Sequence, residues 1–374
     1  MVLRSLKLLF VSTPVGPLGS GLGGGVELTL KNLAIALQQR GHSITVVAPV
    51  GSTLLDFPRV DCNQGSVSLV EILGELQETA QSQGRTATIG LPGNSVLGNF
   101  WQYAYQVQES YDGILNFAYD WLPFYLTSFF QTPIAHLVSM GSLSDAMDSV
   151  IQQVAQSHPG SIAVHSLAQA ATFEFGLQCA CLENGFDLSQ YEFQAEPQNY
   201  LAWVGRIAPE KGLEDAVSAV MHLGIPLKIF GVIQDADYWQ HIQQKYPDAP
   251  IVYEGFLTTE ALQKALGAAQ ALIMTPKWVE AFGNVAIEAL ACGTPVIAYA
   301  RGGPAEIVRP GETGWLATPD SITDLIAAIQ RREEIPRIHC RQAAEQRYSL
   351  TAFGDRVEAW LAELLQSSLD NGCY

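Results

Sequence analysis

Four charged side chains in the second half of the chain could act on a phosphorylated substrate: Arg206, Lys211, Glu280 and Glu288. Arg206 and Lys211 follow an apolar run at 200–204, and a guanidinium fork beside an ammonium group suits a phosphate. The two glutamates are eight residues apart, which alone means nothing, because 37 acidic residues in 374 give about four such pairs by chance. Glu288, however, lies in an apolar stretch, which argues against a solvated helix position.

The residues between the two glutamates predict the start of a helix. Gly283 and Asn284 open it, so free backbone N–H groups and the positive end of the helix dipole face outward. A helix N-terminus of this kind binds an anion. Glu280 then lies in the preceding loop and Glu288 lies inside the helix, so the sequence predicts an anion site with carboxylates on both sides.

The elements that must position these residues alternate between strand and helix. The first half contains a strand at 7–12, a loop with six glycines at 14–25, a helix at 26–40 and a strand at 44–48. This alternation is typical of a parallel α/β sheet. The second half repeats the pattern, with apolar strands predicted at 200–204, 227–230, 251–253, 271–274 and 295–298.

Two such halves predict two doubly wound, Rossmann-like domains that face a cleft. We place the first domain at 1–187 and the second at 188–350. Residues 351–374 form a C-terminal helix and tail. Because its apolar residues recur at helical spacing, this helix must dock on an apolar surface. We expect it to return to the first domain and pack there.

Composition excludes several classes of protein. Hydrophobic residues make up 48% of the chain and charged residues 15%, which is typical of a folded protein. The formal charge of −17 argues against nucleic acid and anionic membranes as partners. No run of apolar residues approaches the length of about 18 that a membrane-spanning helix needs, so the sequence predicts no such helix. The six cysteines are scattered, so we read them as reduced thiols of a cytoplasmic protein.

Several motifs in a fixed order resemble the retaining glycosyltransferases of family four, which have the two-domain GT-B fold. The most specific is the E-x7-E element, in which Phe-Gly closely follows Glu280 and Ala-Cys-Gly-Thr-Pro-Val-Ile-Ala follows Glu288. The resemblance covers nearly the whole chain. The other matching stretches lie at 23–27, 40–47, 184–187, 204–212, 302–307 and 311–315.

The resemblance implies roles for these residues. A nucleotide sugar, most readily UDP-glucose, is the expected donor, and negative charge grows on its β-phosphate as the glycosidic bond breaks. Arg206 and Lys211 would stabilise that charge, Glu280 would bind sugar hydroxyls, and Glu288 would bind the ribose. Neither a protein nucleophile, a metal ion nor a cofactor is expected. The remaining donor-binding residues implied are Gly24, Gly25, Phe282, Gly283, Asn284 and Val285.

The acceptor is expected to bind the first domain, where residues 100–130 hold twelve of the 35 aromatic residues. Most of these belong in a core, and the rest could stack on a flat acceptor. Residues 11–29 also resemble cyanobacterial glucosyltransferases that use UDP-glucose and tetrahydrobiopterin, so a pterin is one expected acceptor. His136 is either an acceptor residue or a hydrogen-bonded core histidine. The expected acceptor residues are Glu27, Tyr119, Asp120, Trp121 and His136.

Other interpretations are weaker. Glycines 19, 21 and 24 fit a dinucleotide fingerprint, but they start eight residues past the strand and no ribose-binding acid follows. Asp235 and Asp237 have the spacing of a metal motif, but we expect them to begin a helix. A lipid or saccharide acceptor, a nucleotide-sugar epimerase and a non-enzymatic binding module stay open as alternatives.

Overall fold

The computed structural model describes residues 4–54, 65–78, 85–86, 89–176 and 178–371. The chain divides into two compact units, which are described separately below. The first unit comprises residues 1–185 and 350–374, and the second comprises 186–349. Among the described residues, no helix combines the length and the apolar character that crossing a bilayer requires.

The described part of the first unit contains a seven-stranded parallel sheet in the order β3-β2-β1-β4-β5-β6-β7. The central strand, β4, and its neighbour β1 are buried along nearly their whole length, because helices cover both sides of a doubly wound sheet. The strands are β1 (Lys7–Val11), β2 (Ser43–Pro49), β3 (Val67–Ile72), β4 (Gly113–Asn116), β5 (Ile134–Leu137), β6 (Ile162–Val164) and β7 (Ala180–Cys181).

The helices of the first unit include one from the far end of the chain. They are α1 (Gly25–Gln39), α2 (Val96–Val107), α3 (Trp121–Leu126), α4 (Asp145–Ser157), α5 (Leu167–Ala170) and, from the C-terminus, α13 (Leu350–Asn371).

Helix α13 completes the core of the first unit. Phe353, Val357 and Trp360 are buried in one cluster with residues of β1 and α1. The indole N–H of Trp360 donates to the carbonyl of Gly160 at 2.7 Å. Arg40, at the end of α1, forms an ion pair with a carboxylate of α13.

The second unit repeats the topology with six parallel strands in the order β10-β9-β8-β11-β12-β13. Its strands are β8 (Leu201–Val204), β9 (Leu227–Phe230), β10 (Ile251–Gly255), β11 (Leu272–Met274), β12 (Val296–Tyr299) and β13 (Gly314–Ala317). Its helices are α6 (Leu213–Leu223), α7 (Ala236–Lys245), α8 (Thr259–Ala268), α9 (Asn284–Ala291), α10 (Gly303–Ile307), α11 (Ile322–Gln330) and α12 (Arg337–Tyr348).

Each sheet has one place where the strand order reverses, between β1 and β4 in the first unit and between β8 and β11 in the second. Loops that leave the carboxyl ends of such strands diverge and create a crevice for ligands. In the second unit these are the loops at 205–212 and 275–283. In the first unit they are the loops that follow Val11 and Asn116.

Candidate active site

The loop after β8 holds Arg206 in place from two sides. One guanidinium nitrogen of Arg206 donates to the side-chain oxygen of Gln234, and another lies 3.3 Å from the carboxylate of Glu210. The backbone of this loop is packed tightly, because a Cβ at Gly231 (φ +137°) would lie 2.0 Å from the carbonyl oxygen of Gly205. The guanidinium is therefore oriented before any ligand binds, which lowers the entropic cost of binding.

Lys211, at the end of the same loop, meets Glu280 from the loop after β11. Its ammonium nitrogen lies 2.5 Å from Oε2 of Glu280, and both side chains are about one-fifth exposed. The indole N–H of Trp278 donates to the same carboxylate oxygen at 3.1 Å, and its ring lies 5.0 Å from the ammonium group. The structure thus brings Lys211 and Glu280 together at one edge of the sheet.

The two loops are tied together through their backbones. The Thr275 hydroxyl donates to the carbonyl of Gly212 at 2.8 Å, and the Lys277 N–H donates to the carbonyl of Glu210 at 2.8 Å. Gly212 has φ +66°, and a Cβ there would lie 2.0 Å from the carbonyl oxygen of Thr275. A glycine is therefore required where the loops approach each other.

Glycines from a third loop support Glu280 from behind. A Cβ at Gly302 would lie 2.6 Å from the backbone of Glu280, and one at Gly303 would lie 2.2 Å from the carbonyl oxygen of Phe282. The N–H of Gly303 donates to the carbonyl of Glu280 at 2.8 Å. The stretch at 302–307 that resembles the family thus forms a close-packed support for the glutamate loop.

Helix α9 begins where the sequence predicts. Gly283 precedes its first turn with φ +100° and without a side-chain cap, and Asn284 and Val285 are in that turn. Phe282 is buried, and its ring packs edge-on against Tyr348 with centroids 6.0 Å apart. An anion at this helix start would meet backbone N–H groups and the positive end of the dipole.

Glu288 lies on α9 among apolar neighbours and is partly exposed. Desolvation raises the pKa of its carboxyl group to about 6. The Tyr191 hydroxyl donates to Oε1 of Glu288 at 3.2 Å and favours the charged form. Glu288 is thus a carboxylate whose charge changes just below neutral pH.

In the first unit, Glu27 organises the glycine-rich loop before α1. Its buried carboxylate accepts backbone N–H groups from Gly23 at 2.6 Å, Gly19 at 2.9 Å and Gly21 at 3.3 Å. The structure thus gives Glu27 a structural task in the loop, and its predicted contact with the acceptor stays a prediction. Gly24 caps α1 with φ +56°, and its contact with donor phosphates, like that of Gly25 at the helix start, stays a prediction.

His136 lies inside the core, which corrects the expectation that it faces the acceptor. It is fully buried on β5 and its ring stacks on Phe124 with centroids 4.2 Å apart. Its ring nitrogens lie 3.2 Å from the Asn116 amide nitrogen and 2.8 Å from the Thr127 hydroxyl. Desolvation lowers the pKa of the imidazole to about 3, so it is neutral near pH 7. It is the hydrogen-bonded core histidine of the two interpretations.

Three of the predicted acceptor residues line a cavity of about 320 Å³ at the strand-order reversal of the first unit. They are Tyr119, whose hydroxyl donates to the carbonyl of Gly141 at 3.0 Å, Asp120 and Trp121. Asp120 caps α3 by accepting the Leu122 N–H at 3.1 Å, and desolvation raises the pKa of its carboxyl. Thr13, Pro14, Phe117, Ser139 and Met140 also contribute to the walls.

The charge of this cavity is one-sided. Its described lining residues include the carboxylates of Glu78 and Asp120 and no Lys, Arg or His. The cavity therefore suits a neutral or cationic molecule better than an anionic one.

Residues 187–349 match the family model described as glycosyl transferases group 1. The match spans nearly the whole second unit and less than half of the chain. Over the whole chain, the glycogen synthase of Mycobacterium tuberculosis is 25% identical across 93% of this chain and 91% of that protein. The 2-deoxystreptamine N-acetyl-D-glucosaminyltransferase of Streptomyces fradiae is 33% identical over 33% of this chain and 34% of its own length.

Solved structures show the fold. Sucrose-phosphate synthase from Thermosynechococcus elongatus superposes with a TM-score of 0.75 at 20% identity, covering 97% of this chain and 100% of that one. HepE from Anabaena, in complex with UDP and glucose, gives 0.71 at 18% identity over 96% and 99% of the two chains. The predicted GT-B fold is confirmed.

Sequence reasoning missed three side chains that contact the predicted donor residues: Trp278, Gln234 and Tyr191. Trp278 lies two residues before Glu280, and its aromatic type was the available signal. Gln234 and Tyr191 reach Arg206 and Glu288 from segments 28 and 97 residues away, so no local motif marks them. The predicted helix after Asp235 is confirmed, since Asp235 caps α7 by accepting the Tyr238 N–H at 2.8 Å.

Proposed function

We propose that this protein is a retaining glucosyltransferase that moves glucose from UDP-glucose to a small, ring-containing acceptor without a metal ion or cofactor. The observation that carries the donor half is the contact of Lys211 with Glu280 at the strand-order reversal of the second sheet, on the loop that also carries Arg206. Two cations with a carboxylate beside them suit a sugar diphosphate. They offer charge to the phosphates and a hydrogen-bond acceptor to the sugar.

The proposed reaction needs no protein nucleophile. The bond between the anomeric carbon and the β-phosphate oxygen breaks, and the acceptor oxygen bonds to the anomeric carbon on the same face. The proton of the acceptor hydroxyl passes to the departing phosphate. Arg206 and Lys211 stabilise the charge that develops on that phosphate, and this stabilisation is commonly the largest catalytic contribution of such groups.

The two glutamates have different proposed tasks. Glu280 accepts hydrogen bonds from glucose hydroxyls. Its carboxylate already bonds Lys211 and Trp278, which makes it a poor nucleophile and a well-oriented acceptor. Glu288 accepts hydrogen bonds from the ribose. Exposed apolar side chains at the same sheet edge, Val232 and Phe256, offer a surface to the nucleotide base.

For the acceptor we propose tetrahydrobiopterin or a related pterin in the cavity of the first unit. A pterin presents a ring face, which suits Tyr119 and Trp121, and an edge of N–H donors, which suits the Asp120 carboxylate. The cavity volume of about 320 Å³ is that of a small-molecule site. The lack of cations among its described lining residues fits an acceptor without phosphate groups.

One observation favours a second candidate, a longer acceptor such as a saccharide or a lipid. The rings of Trp121 and Tyr125 are stacked with centroids 4.4 Å apart, and the ring centroids of Tyr125 and Phe129 are 5.5 Å apart. Tyr125 and Phe129 are exposed, so an aromatic strip continues outward from the cavity wall. Sugar rings or an acyl chain could lie along this strip.

The test is release of UDP from UDP-glucose with and without tetrahydrobiopterin, with mass and NMR analysis of the product. Pterin-dependent UDP release and an α-glucosyl product would support donor, acceptor and retention together. A β-linked product would overturn retention alone. Slow UDP release at the same rate with and without the pterin would overturn this acceptor and favour a saccharide or a lipid. No UDP from UDP-glucose would overturn the donor.

A further inference from the structure

Glu288 has a hydrogen-bond partner outside the motif that contains it. The Tyr191 hydroxyl donates to Oε1 of Glu288 at 3.2 Å, from a position 97 residues earlier in the chain. We propose that Tyr191 is a positioning residue for the nucleotide: it holds one oxygen of Glu288 so that the other is presented to the ribose. This inference rests on the proposed function, in which Glu288 binds the ribose of UDP-glucose.

Tyr191 is itself fixed in place. It is buried, and its ring packs edge-on against Phe186 with centroids 6.3 Å apart. Arg341 of α12 donates to the carbonyl of Tyr191 at 2.7 Å and, through the same nitrogen, to the carbonyl of Ala291 at 2.8 Å. Because Ala291 is the last residue of α9, one guanidinium group fixes the tyrosine segment to the helix that carries Glu288.

Arg341 also contacts the turn that precedes Tyr191. Another nitrogen of Arg341 lies 3.3 Å from the carbonyl oxygen of Leu188, and its Nε bonds Glu345 at 2.6 Å. Asp187 caps this turn through the backbone and hydroxyl of Ser189. The hydroxyl of Tyr191 is therefore held at Glu288 by packing and by several backbone hydrogen bonds, and not by its own bond alone.

The charged and titratable groups around this pair come from three elements. Tyr191 and Asp187 belong to the segment before β8, Cys292 follows α9, and Arg341 and Arg337 extend from α12. Burial raises the pKa of the Tyr191 phenol and raises that of the Cys292 thiol to about 12. Both stay protonated near neutral pH, so neither accounts for a change of charge at pH 6.

The hydroxyl also affects the charge of Glu288. Burial disfavours the carboxylate and raises its pKa to about 6, whereas the bond from Tyr191 favours the carboxylate. Removing the hydroxyl therefore moves the pKa of Glu288 further upward. A protonated Glu288 loses its charge-assisted hydrogen bonds to a ribose. Donor binding should thus weaken as the pH falls through this pKa, and should do so at a higher pH without the hydroxyl.

The experiment measures UDP-glucose binding to the full chain by isothermal titration calorimetry between pH 5.5 and 8. UDP-glucose is preferable to UDP, because a terminal phosphate itself titrates near pH 6. In the unmodified protein we expect the Kd to rise about tenfold per pH unit below the pKa of Glu288. This rise in the Kd at low pH is the acid limb of the binding curve. For Tyr191→Phe we expect a Kd about tenfold higher at pH 7 and an acid limb that begins at a higher pH.

Two further variants isolate the interaction. Glu288→Gln should bind weakly with no acid limb, and Tyr191→Phe added to it should weaken binding no further. Tyr200→Phe is the matched control: its buried hydroxyl donates to the carbonyl of Ala265 at 2.6 Å in the same unit. It should change the Tm while leaving the Kd and its pH dependence unchanged.

The outcomes separate the inference from the function on which it rests. Normal binding by Tyr191→Phe, with weak binding by Glu288→Gln, would overturn the positioning role and leave the proposed function standing. Equal acid limbs in the unmodified protein and Tyr191→Phe would overturn it as well. Normal binding by Glu288→Gln would remove the ribose contact, and no binding of UDP-glucose by the unmodified protein would overturn the donor itself.

Discussion

The two units of this protein share one topology and differ in the chemistry at the same topological position. In each sheet the strand order reverses beside the first strand, and the loops at that reversal carry the site. In the second unit these loops carry Arg206, Lys211 and Glu280. In the first unit they line a cavity whose described walls hold Asp120 and Glu78 and no cation. In the proposed function, the fold thus determines where each substrate binds, and the loop side chains determine the charge that suits it.

The largest expected effect concerns the cations of the second unit. Arg206→Ala or Lys211→Ala should lower kcat by about 10²–10³, because each removes charge stabilisation from the departing phosphate. The measurement is steady-state UDP release, with the Tm as a check on folding. Lys264→Ala, which removes an exposed cation paired with Glu260, is the control and should retain normal turnover. Near-normal turnover in Arg206→Ala would remove that residue from the mechanism.

The next effect concerns the aromatic wall of the first unit. Trp121→Ala should raise the acceptor KM about tenfold, because a stacked ring contributes about 1–2 kcal/mol, and should leave UDP-glucose binding unchanged. The readout is the acceptor KM beside the UDP-glucose Kd from calorimetry. Phe129→Ala, further along the exposed aromatic strip, should have no effect with a small acceptor. An equal loss in both variants would instead favour the longer acceptor.

A smaller effect is expected where a carboxylate in the first unit serves the backbone. Glu27→Ala should destabilise the protein by about 1–3 kcal/mol, because the N–H groups of Gly19, Gly21 and Gly23 lose their acceptor. The acceptor KM should rise severalfold, since this loop forms part of the cavity wall. Glu27→Gln keeps one acceptor oxygen and should recover part of the stability. Denaturant unfolding separates the two variants, and equal stability of both would argue against the loop-organising role.

The last prediction concerns the effect of pH on stability through His136, whose imidazole is neutral in the folded protein. Its folded pKa of about 3 lies below the ordinary value of 6.5. The unfolded chain therefore binds more protons between these pH values. The contribution of His136 to the free energy of unfolding is therefore fully present above pH 6.5 and decreases as the pH falls. At pH 5 this decrease is about 2 kcal/mol. His136 ring protons that titrate near 6.5 by NMR would contradict the buried, neutral state.

Much of the donor site could be predicted because its functional residues lie within short segments. Glu280, Gly283 and Glu288 belong to one loop and helix, and Arg206 and Lys211 belong to another loop. In each segment the local pattern of strand, loop and helix determines the geometry. Their meeting followed from topology, since parallel strands place their carboxyl ends at one edge.

The contacts that the sequence did not reveal depend on properties that no local pattern contains. The burial of His136 depends on Phe124 and Thr127, which surround it from α3 and the turn after it. The occupation of Glu27 by the glycine loop depends on backbone direction, because only a returning loop can aim three N–H groups at one carboxylate. A resemblance identifies which positions are special and leaves open what each side chain contacts.

The return of α13 to the first unit also has a consequence for synthesis on the ribosome. The second unit interrupts the first in the sequence, so its residues 186–349 are synthesised as one continuous piece before α13. The first unit has to wait for Phe353, Val357 and Trp360 before its core is complete. Limited proteolysis of a released chain that ends at residue 349 should find a protected second unit and a cleavable first one. Early protection of both would show that the N-terminal segment folds without its last helix.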